Sequence, residues 1–253
     1  MSSSATVCVG CRNQQDLFPF TMAFQPIVDL LEERIDSHEA LVRGPEGQGA
    51  YSVLSQVDEH NRYGFDQACR IKAIELASKL GIDCRLNINF LPNAVYEPKA
   101  CIRATLDVAR RTGFRLDRLT FEIVESEQIA DERHLLNIIA EYRRHGFKIA
   151  LDDFATGYSG LSRLAALKPD IIKLDRALVT NCHQDHARLA IVASMLALGA
   201  ELGIKVVVEG VETLEELTAL RDVGARFVQG YYFAKPVFEG LARADTVFRR
   251  KAA

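Results

Sequence analysis

Short apolar runs rich in β-branched residues alternate along the chain with longer segments of helical periodicity. Most of the helical segments end at glycine, which readily adopts the left-handed conformation that follows many helix C-termini. Strands that alternate with helices favour a parallel sheet joined by crossover helices. The predicted strands cover residues 22–28, 31–38, 85–89, 119–123, 148–151, 171–174, 205–208 and 226–228.

The helical segments also carry recognisable start signals. Pro98 suits a first helical turn, Asp131 suits an N-cap, and Thr213 with Glu216 suits a capping box. The predicted helices span residues 63–80, 98–113, 131–146, 184–202 and 213–224.

About eight strands in 253 residues favour a closed barrel over an open sheet, in one domain. The first two strands lie too close in sequence for a crossover helix, so one of them is predicted to run antiparallel. The predicted fold class is therefore α/β, a modified TIM (β/α)₈ barrel with one antiparallel strand. Residues 20–253 form the predicted barrel domain, and residues 1–19 form a predicted flexible N-terminal segment.

Composition argues against several classes of protein. Hydrophobic residues make up 48% of the chain and charged residues 26%, and no apolar run approaches the roughly 20 residues of a membrane span. The N-terminus lacks the basic start and apolar stretch of a secretory signal, which predicts a cytoplasmic protein. The formal net charge is −3, without a stripe of Lys and Arg and interleaved aromatic residues, which argues against duplex nucleic acid as a partner.

The six cysteines are scattered without the density of a disulfide framework, and most are expected to be reduced. Cys8 and Cys11 form one Cys-x-x-Cys pair, but a structural zinc site needs four ligands and no second pair lies nearby. Two interpretations of this pair stay open: a functionally silent N-terminus, and a metal or redox role shared between chains. The six histidines form no ligand pattern.

Asp152 and Asp153 are adjacent carboxylates that follow the buried run 148–151. Because successive strand residues point to opposite faces, both can face one way only if the strand has ended and the backbone is turning. Other polar residues lie at or just after the ends of the remaining strands, and in a barrel these ends converge on one mouth. These residues are Glu39, Asn89, Glu122, Lys173, Glu209 and Gln229.

Each of these residues alone has a structural interpretation. Glu39 and Asp153 could cap helices, and Asn89 and Gln229 could satisfy buried backbone groups. Together, however, five carboxylates around one partly dry mouth would repel each other strongly, and divalent cations resolve that conflict.

Oxygen ligands without a His or Cys cluster suit Mg²⁺ or Mn²⁺ rather than zinc. This number of carboxylates predicts two ions about 3.5 to 4 Å apart, a pair that binds phosphate oxygens and activates water. The implied chemistry is phosphoester hydrolysis. A strand-end lysine also permits Schiff-base chemistry, but the surrounding acids would keep Lys173 protonated, which disfavours a nucleophile.

Several segments, in order along the chain, resemble the motifs of one family. The segment Glu39 Ala40 Leu41 Val42 Arg43 is similar to the signature that names the EAL-domain phosphodiesterases of cyclic di-GMP. The resemblance extends over roughly residues 20–236. It includes Gln25 Pro26 Ile27, Asn87 Ile88 Asn89, Phe121 to Glu125, Asp152 to Ser159, Lys173 Leu174 Asp175, Val208 to Thr213 and Gln229 to Tyr232.

This resemblance implies a modified barrel that hydrolyses cyclic di-GMP to linear pGpG with two Mg²⁺ or Mn²⁺ ions. It also implies that Lys173 orients the attacking water, while the identity of the effective base stays open. The catalytic residues implied are Glu39, Lys173 and Glu209. The metal ligands implied are Glu39, Asn89, Glu122 and Asp152 for one ion, and Asp152, Asp153 and Glu209 for the second.

The resemblance further implies contacts with substrate and between chains. Arg43 would contact a substrate phosphate, for which its forked guanidinium is suited. Similar proteins dimerise through elements that follow the loop after Asp153, so a homodimer is expected, with Glu125 and Glu212 supporting that loop. The substrate-binding residues implied are Gln25, Arg43, Asp175 and Gln229.

Two segments depart from the family pattern. Ala155 stands where many members have glycine, and a positive φ there would cost alanine about 1 kcal/mol or more. Residues 44–49 stand where many relatives carry Trp and a His-Pro pair, so the rim beside the substrate differs. None of the implied metal ligands is missing, which favours an active phosphodiesterase. The alternative is a module that binds cyclic di-GMP or a regulatory protein without turnover.

Overall fold

The computed structural model describes residues 17–124, 131–154 and 160–249. Cys8 and Cys11, Glu125 and the segment with Ala155 lie outside these residues. Within them, no helix is long and apolar enough to cross a membrane. The strands are β1 (Thr21–Asp29), β2 (Arg34–Arg43), β3 (Arg85–Asn89), β4 (Leu119–Val124), β5 (Lys148–Phe154), β6 (Ile171–Leu174), β7 (Lys205–Val208), β8 (Phe227–Val228) and β9 (Val237–Phe238).

These strands form one sheet in the order β2-β3-β4-β5-β6-β7-β8-β1-β9, and β1 also pairs with β2. That additional pairing closes β1 to β8 into a barrel. Neighbouring strands from β2 to β8 are parallel, whereas β1 is antiparallel to both β2 and β8. The predicted modified (β/α)₈ barrel with one antiparallel strand is therefore confirmed.

Helices follow most of the parallel strands and pack against their outer faces. Tyr142 and Phe121, for example, join a helix to β4 with ring centroids 4.9 Å apart. The helices are α1 (Ala50–Leu54), α2 (Arg62–Lys79), α3 (Pro98–Cys101), α4 (Arg103–Thr112), α5 (Glu132–Arg144), α6 (Gly160–Leu167), α7 (Arg176–Val179), α8 (His186–Leu202), α9 (Leu214–Asp222) and α10 (Ala244–Arg249).

Most predicted elements are present, with informative shifts at their ends. The helix predicted over 98–113 is divided at Ile102, which keeps a helical φ of −75° and ψ of −18°, so α3 and α4 are nearly continuous. Helix α8 begins at His186 because Asp185 is its N-cap and accepts hydrogen bonds from the backbone N–H groups of Ala187 and Arg188. The capping box of Thr213 and Glu216 is confirmed.

The hairpin between β1 and β2 is tied to β8 by the buried carboxylate of Asp29. Its oxygens accept hydrogen bonds from the guanidinium of Arg226 at 2.9 and 2.7 Å and from the backbone N–H groups of Leu31 and Glu32. The hydrogen bonds from Arg226 are the main reason that the pKa of Asp29 lies below its usual value. The antiparallel strand is thus anchored at the end of the barrel where it turns.

The barrel interior has an apolar floor and a polar mouth. Ile27, Ala150, Ile171 and Val207 form a buried cluster that is separate from the main core between sheet and helices. Because side chains alternate along a strand, residues two positions nearer the mouth share the inward face. Those positions hold Gln25, Asp152, Lys173 and Glu209.

Gly199 allows α8 to approach β7 closely. A methyl group at this position would clash with the Cγ2 methyl of Val206 and lie 3.0 Å from the carbonyl oxygen of Ile204. Alanine favours a helix interior by about 1 kcal/mol over glycine, but overpacking costs about 1 to 3 kcal/mol. We therefore expect Gly199→Ala to lower the free energy of unfolding, measured by urea denaturation.

The control for this substitution is Ser194→Ala on the exposed face of the same helix. It improves helix propensity without a clash and should leave the denaturation midpoint unchanged or slightly raised. A higher midpoint for Gly199→Ala than for the unmodified chain would contradict close packing of α8 on β7.

Candidate metal centre

The ammonium group of Lys173 lies at the centre of the barrel mouth, on β6. Its Nζ atom is 3.2 Å from Glu39 Oε2, 3.0 Å from Glu122 Oε2, 3.0 Å from Asp152 Oδ1 and 2.8 Å from Glu209 Oε1. The lysine side chain is 1% exposed. One buried cation is therefore shared by four carboxylates that come from four different strands or strand ends.

The surroundings keep Lys173 protonated. Burial would by itself lower the pKa of the ammonium, but the four carboxylates outweigh burial and raise that pKa well above its usual value. The prediction that acids hold this lysine protonated is confirmed. A protonated amine cannot attack a carbonyl, so Schiff-base chemistry at Lys173 is disfavoured.

The carboxylates differ in how easily they ionise. Burial and the neighbouring acids raise the pKa of Glu122 and of Glu209 well above the usual value, although Lys173 opposes this. Burial also acts to raise the pKa of Glu39, but Lys173 and hydrogen bonds from Gln229 and Asn89 outweigh it, so the pKa is lowered. Crowded acids thus favour binding either protons or further cations.

Asp152 and Asp153 reach the same mouth through a β-bulge. Leu151 pairs with Ile172 and Phe154 pairs with Leu174, so two residues of β5 lie opposite the single residue Lys173. Asp153 has a φ of +52°, the left-handed conformation that aspartate tolerates better than most residues. The prediction that the strand ends at residue 151 is wrong, because β5 continues to Phe154, whereas the expected turn of the backbone is present within the strand.

Two overlapping groups of carboxylates could each hold a metal ion. Within each group, the ligand oxygens all lie within 4.8 Å of one another. Asp152 belongs to both groups, as a bridging ligand would. Among the residues that the structure describes, the groups are Glu39 with Glu122 and Asp152, and Asp152 with Asp153 and Glu209.

The donor set fits hard divalent cations. Both groups offer only carboxylate oxygens, the ligands that Mg²⁺ and Mn²⁺ prefer. One amide oxygen that lines the mouth, Gln229 Oε1, is buried and has no hydrogen-bond partner. A buried oxygen without a partner beside a cluster of acids is consistent with a site that binds cations.

Amide side chains orient Glu39. Asn89 Nδ2 donates to Glu39 Oε1 at 3.1 Å, and Gln229 Nε2 donates to Glu39 Oε2 at 2.8 Å. Gln229 also donates to Gln25 Oε1 at 3.2 Å, and Gln25 in turn donates to the carbonyl oxygen of Ala234. Glu39 lies inside β2 rather than after it, because β2 continues to Arg43 in its antiparallel pairing with β1. The predicted residues of β1, β2, β3 and β8 therefore come together at the mouth.

A cleft of about 290 Å³ opens from this centre. Asp175 lines it, and its carboxylate also caps α7 by accepting a hydrogen bond from the N–H of Ala177 at 2.7 Å. Arg43 does not line the cleft, and its guanidinium donates to the carbonyl of Val42. A second, mainly apolar cavity of about 370 Å³ is lined by Asn89 and shares Glu39, Leu41, Asp152 and Asp153 with the cleft.

Besides Leu41, Gly210 and Gly230, the cleft is lined by two side chains to which the sequence interpretation assigned no role, Arg176 and Tyr231. Arg176 forms an ion pair with Glu212 at 3.1 Å and packs over Gly210, where a Cβ atom would lie 2.5 Å from the arginine Cγ. The position of Arg176 just after the β6 strand end was a usable signal, because residues that follow parallel strands line the mouth of a barrel. The loop-supporting role of Glu212 stays a prediction.

The fold and the acidic centre together define a barrel of the type found in EAL proteins. The chain matches the EAL domain over residues 12–236 and belongs to that family. It is similar to a standalone versatile EAL protein from Vibrio cholerae O395, solved in a cyclic di-GMP-bound form. The identity is 49%, the TM-score is 0.86, and the match covers 89% of this chain and 95% of that one.

Two further relatives are similar over most of this chain. BlrP1 from Klebsiella pneumoniae, solved at pH 9.0 as a manganese and cyclic di-GMP complex, is 37% identical with a TM-score of 0.84, covering 89% of this chain and 58% of BlrP1. The probable cyclic di-GMP phosphodiesterase PdeG from Escherichia coli strain K12 is 33% identical over 238 residues, covering 89% of this chain and 45% of PdeG. The chain spans about half the length of two of the curated relatives it matches and a third or less of the others compared.

Asp153 gives the centre a testable dependence on pH. Burial beside Asp152 and Asp175 raises the pKa of Asp153 to about 6, from 3.8. At a pH above about 6, folded Asp153 is ionised in surroundings that disfavour its charge, so the free energy of unfolding is lowered. At a pH below 3.8, Asp153 is protonated in both the folded and the unfolded chain, and this destabilisation disappears. In EDTA, we expect Asp153→Asn to raise the melting temperature at about pH 7.5 and to have a much smaller effect at about pH 4.5. An equal gain at both pH values in calorimetry would contradict this origin.

Proposed function

We propose that the chain hydrolyses cyclic di-GMP to linear pGpG in a reaction that depends on divalent cations. The observation that carries the proposal is the pair of carboxylate groups that share Asp152 around the barrel mouth. The relatives add support, because the Vibrio cholerae EAL protein was solved with cyclic di-GMP bound and BlrP1 with manganese and cyclic di-GMP.

The proposed cations are Mg²⁺ or Mn²⁺, which suit an all-oxygen donor set. When bound, such ions neutralise charge on a phosphodiester and lower the pKa of water. Asn89 is a proposed ligand through its amide oxygen, since in the described arrangement its Nδ2 donates to Glu39. The proposed ligands are Glu39, Asn89, Glu122 and Asp152 for one ion, and Asp152, Asp153 and Glu209 for the other.

Lys173 and Glu209 have complementary roles in this proposal. Lys173 is a fixed cation that stays protonated, so it can donate a hydrogen bond from Nζ and orient water, but it cannot accept a proton. Glu209 is the most exposed of the four carboxylates around Lys173, with 16% of its side chain accessible, against 11% or less for the others. It is therefore the best placed of the four to take a proton from water and return it to solvent.

The cleft supplies groups for an anionic nucleotide. Arg176 presents a guanidinium, the group best suited to a phosphate or to the edge of a purine. Asp175, Gln25 and Gln229 line the same cleft and offer hydrogen-bond acceptors and donors to a base. A role for Arg43 stays a prediction that requires its guanidinium to leave the carbonyl of Val42.

The direct test incubates the pure protein with cyclic di-GMP and Mn²⁺ or Mg²⁺, and follows pGpG by chromatography. Product that forms with metal and not with EDTA supports the proposal. Binding of cyclic di-GMP without product would replace it with the alternative function, a receptor or regulatory module that retains the barrel without turnover.

Glu39→Ala should lower turnover by more than about 100-fold. Loss of a residue that only hydrogen-bonds a metal ligand lowers metal affinity or activity about 10- to 100-fold, and this substitution removes a proposed ligand itself. The fold should survive, because Glu39 lies at the mouth and not in the apolar core. The control is Glu201→Ala, an exposed residue near the end of α8. Near-normal rates in Glu39→Ala with an intact circular dichroism spectrum would contradict the metal mechanism.

Lys173→Met should abolish turnover, because the carboxylates lose the ammonium that they share. Lys79→Met, at the exposed end of α2, is the matched control and should keep full activity. Borohydride reduction in the presence of a carbonyl compound should trap no adduct on Lys173. A trapped adduct, found by mass spectrometry, would instead support Schiff-base chemistry.

Three finer features remain part of the proposal. These are a cytoplasmic location, a homodimer, and support of the loop after Asp153 by Glu125 and Glu212. We propose that the segment from Asp152 to Ser159 links the oligomeric state to metal occupancy. Mass and activity measured together over a dilution series test the link, and fully active monomers would contradict it.

A further inference from the structure

Asn87 is a buried amide of β3 that no part of the proposed reaction uses. The residue is 1% exposed, and its Nδ2 atom donates to Glu122 Oε1 at 2.8 Å. Its Oδ1 atom is buried without a hydrogen-bond partner. A buried polar atom left unsatisfied costs about 1 to 3 kcal/mol. What the amide contributes at this position is the hydrogen bond from Nδ2 to Glu122.

The two asparagines of β3 bind the two glutamates in a crossed arrangement. In the strand register, Asn87 lies opposite Glu39 and Asn89 lies opposite Glu122. The hydrogen bonds run the other way, since Asn87 donates to Glu122 and Asn89 donates to Glu39. Each glutamate therefore accepts from the asparagine two residues away along β3 from the one directly opposite it, and both carboxylates are held between β3 and the centre.

Asn87 and Lys173 hold different oxygens of Glu122. Asn87 donates to Oε1, whereas Lys173 donates to Oε2 at 3.0 Å. The terminal torsion of a glutamate has a broad energy minimum, so a carboxylate held at one oxygen can rotate. Without the Asn87 amide, the Glu122 carboxylate could rotate about its contact with Lys173. That rotation would change which of its oxygens faces Glu39 and Asp152.

Thr120 is a comparison residue that separates the hydrogen bond of Asn87 to Glu122 from the polarity of this layer of the barrel. It lies directly opposite Asn87 in the register of β3 and β4, it is 0% exposed, and its hydroxyl also has no hydrogen-bond partner. Thr120 is thus equally buried and polar in the same layer of the barrel, but its hydroxyl makes no hydrogen bond to Glu122. The two residues form a matched pair for separating orientation of Glu122 from the general polarity of the layer.

We propose that Asn87 is a positioning residue of the metal centre, which acts by fixing the Glu122 carboxylate in the orientation that binds a divalent cation. This inference rests on the proposed function in treating the centre as a cation site. It assigns to Asn87 a role separate from the ligand role of Asn89, although both lie on one face of one strand.

The test measures Mn²⁺ binding by calorimetry without substrate, for the unmodified chain, Asn87→Ala and Thr120→Val. The rise in melting temperature on adding Mn²⁺ provides a second measure, because a ligand stabilises the state that binds it. We expect Asn87→Ala to weaken Mn²⁺ binding about 10- to 100-fold, the usual effect of losing a partner of a metal ligand. The Mn²⁺ affinity of Thr120→Val should stay within about twofold of that of the unmodified chain, because this substitution removes no hydrogen bond to Glu122.

Mn²⁺ binding by Asn87→Ala within twofold of the unmodified chain would overturn the inference, as would an equal loss in Thr120→Val. If Asn87→Ala does not fold, Asn87→Val fills the space without an amide and takes its place with the same expected loss. Failure of both to fold would assign Asn87 a structural role and overturn positioning. If the unmodified chain itself does not bind Mn²⁺, the proposed function also loses its premise, which distinguishes the two failures.

Discussion

The mouth of the barrel depends on the ion pairs between Lys173 and four carboxylates. Burying an ammonium group costs several kcal/mol unless opposite charges and hydrogen bonds compensate it. Burying the acids without it would be worse, because like charges at this distance cannot all ionise in a medium of low dielectric. The lysine is therefore the reason that acids from β2, β4, β5 and β7 can lie together. Every other feature of the centre is arranged around that single buried cation.

The barrel provides this arrangement through the alternation of side chains. On β1, β5, β6 and β7 the inward positions near the floor are apolar, and the next inward positions, two residues nearer the mouth, are polar. The support extends to the outer layer. Asp66 of α2 accepts a hydrogen bond from the N–H of Leu91 at 2.9 Å, just after Asn89, and pairs with the buried Arg70. Arg70 lies over the rings of Phe90 and other aromatic residues, so a second buried ion pair holds the loop after β3.

The sequence predicts the fold well where local and tertiary preferences agree. The runs at 85–89, 171–174 and 205–208 form strands of the parallel part of the sheet, and they are rich in β-branched residues or end in a polar residue. Their observed bounds equal the predicted ones. The two-residue strand β9 was missed because so short an element is defined by its pairing with β1 and not by periodicity. The extension of β2 past His38 also follows from pairing with β1, which no local pattern reports.

The site follows the same division. Acids at strand ends are visible in the sequence because parallel strands bring their ends together. The bulge at Asp152 and Asp153 is invisible, since it depends on the register between β5 and β6. The contact of Asn87 with Glu122 is equally hidden, because the sequence places both asparagines on β3 but does not show which glutamate each one contacts. Sequence therefore predicts which residues meet, whereas three-dimensional structure is needed to say how each is held.

The charge balance of the centre connects these observations. Glu39, Glu122, Asp152, Asp153 and Glu209 carry five negative charges when ionised, and Lys173 supplies one positive charge. The four negative charges that remain equal the charge of two divalent cations. Without cations, the raised pKa values of Glu122, Glu209 and Asp153 indicate that protons take part of that role. A cation that bound here would therefore release protons from the centre, since a carboxylate binds a metal ion in its ionised form, and its affinity would fall as the pH is lowered.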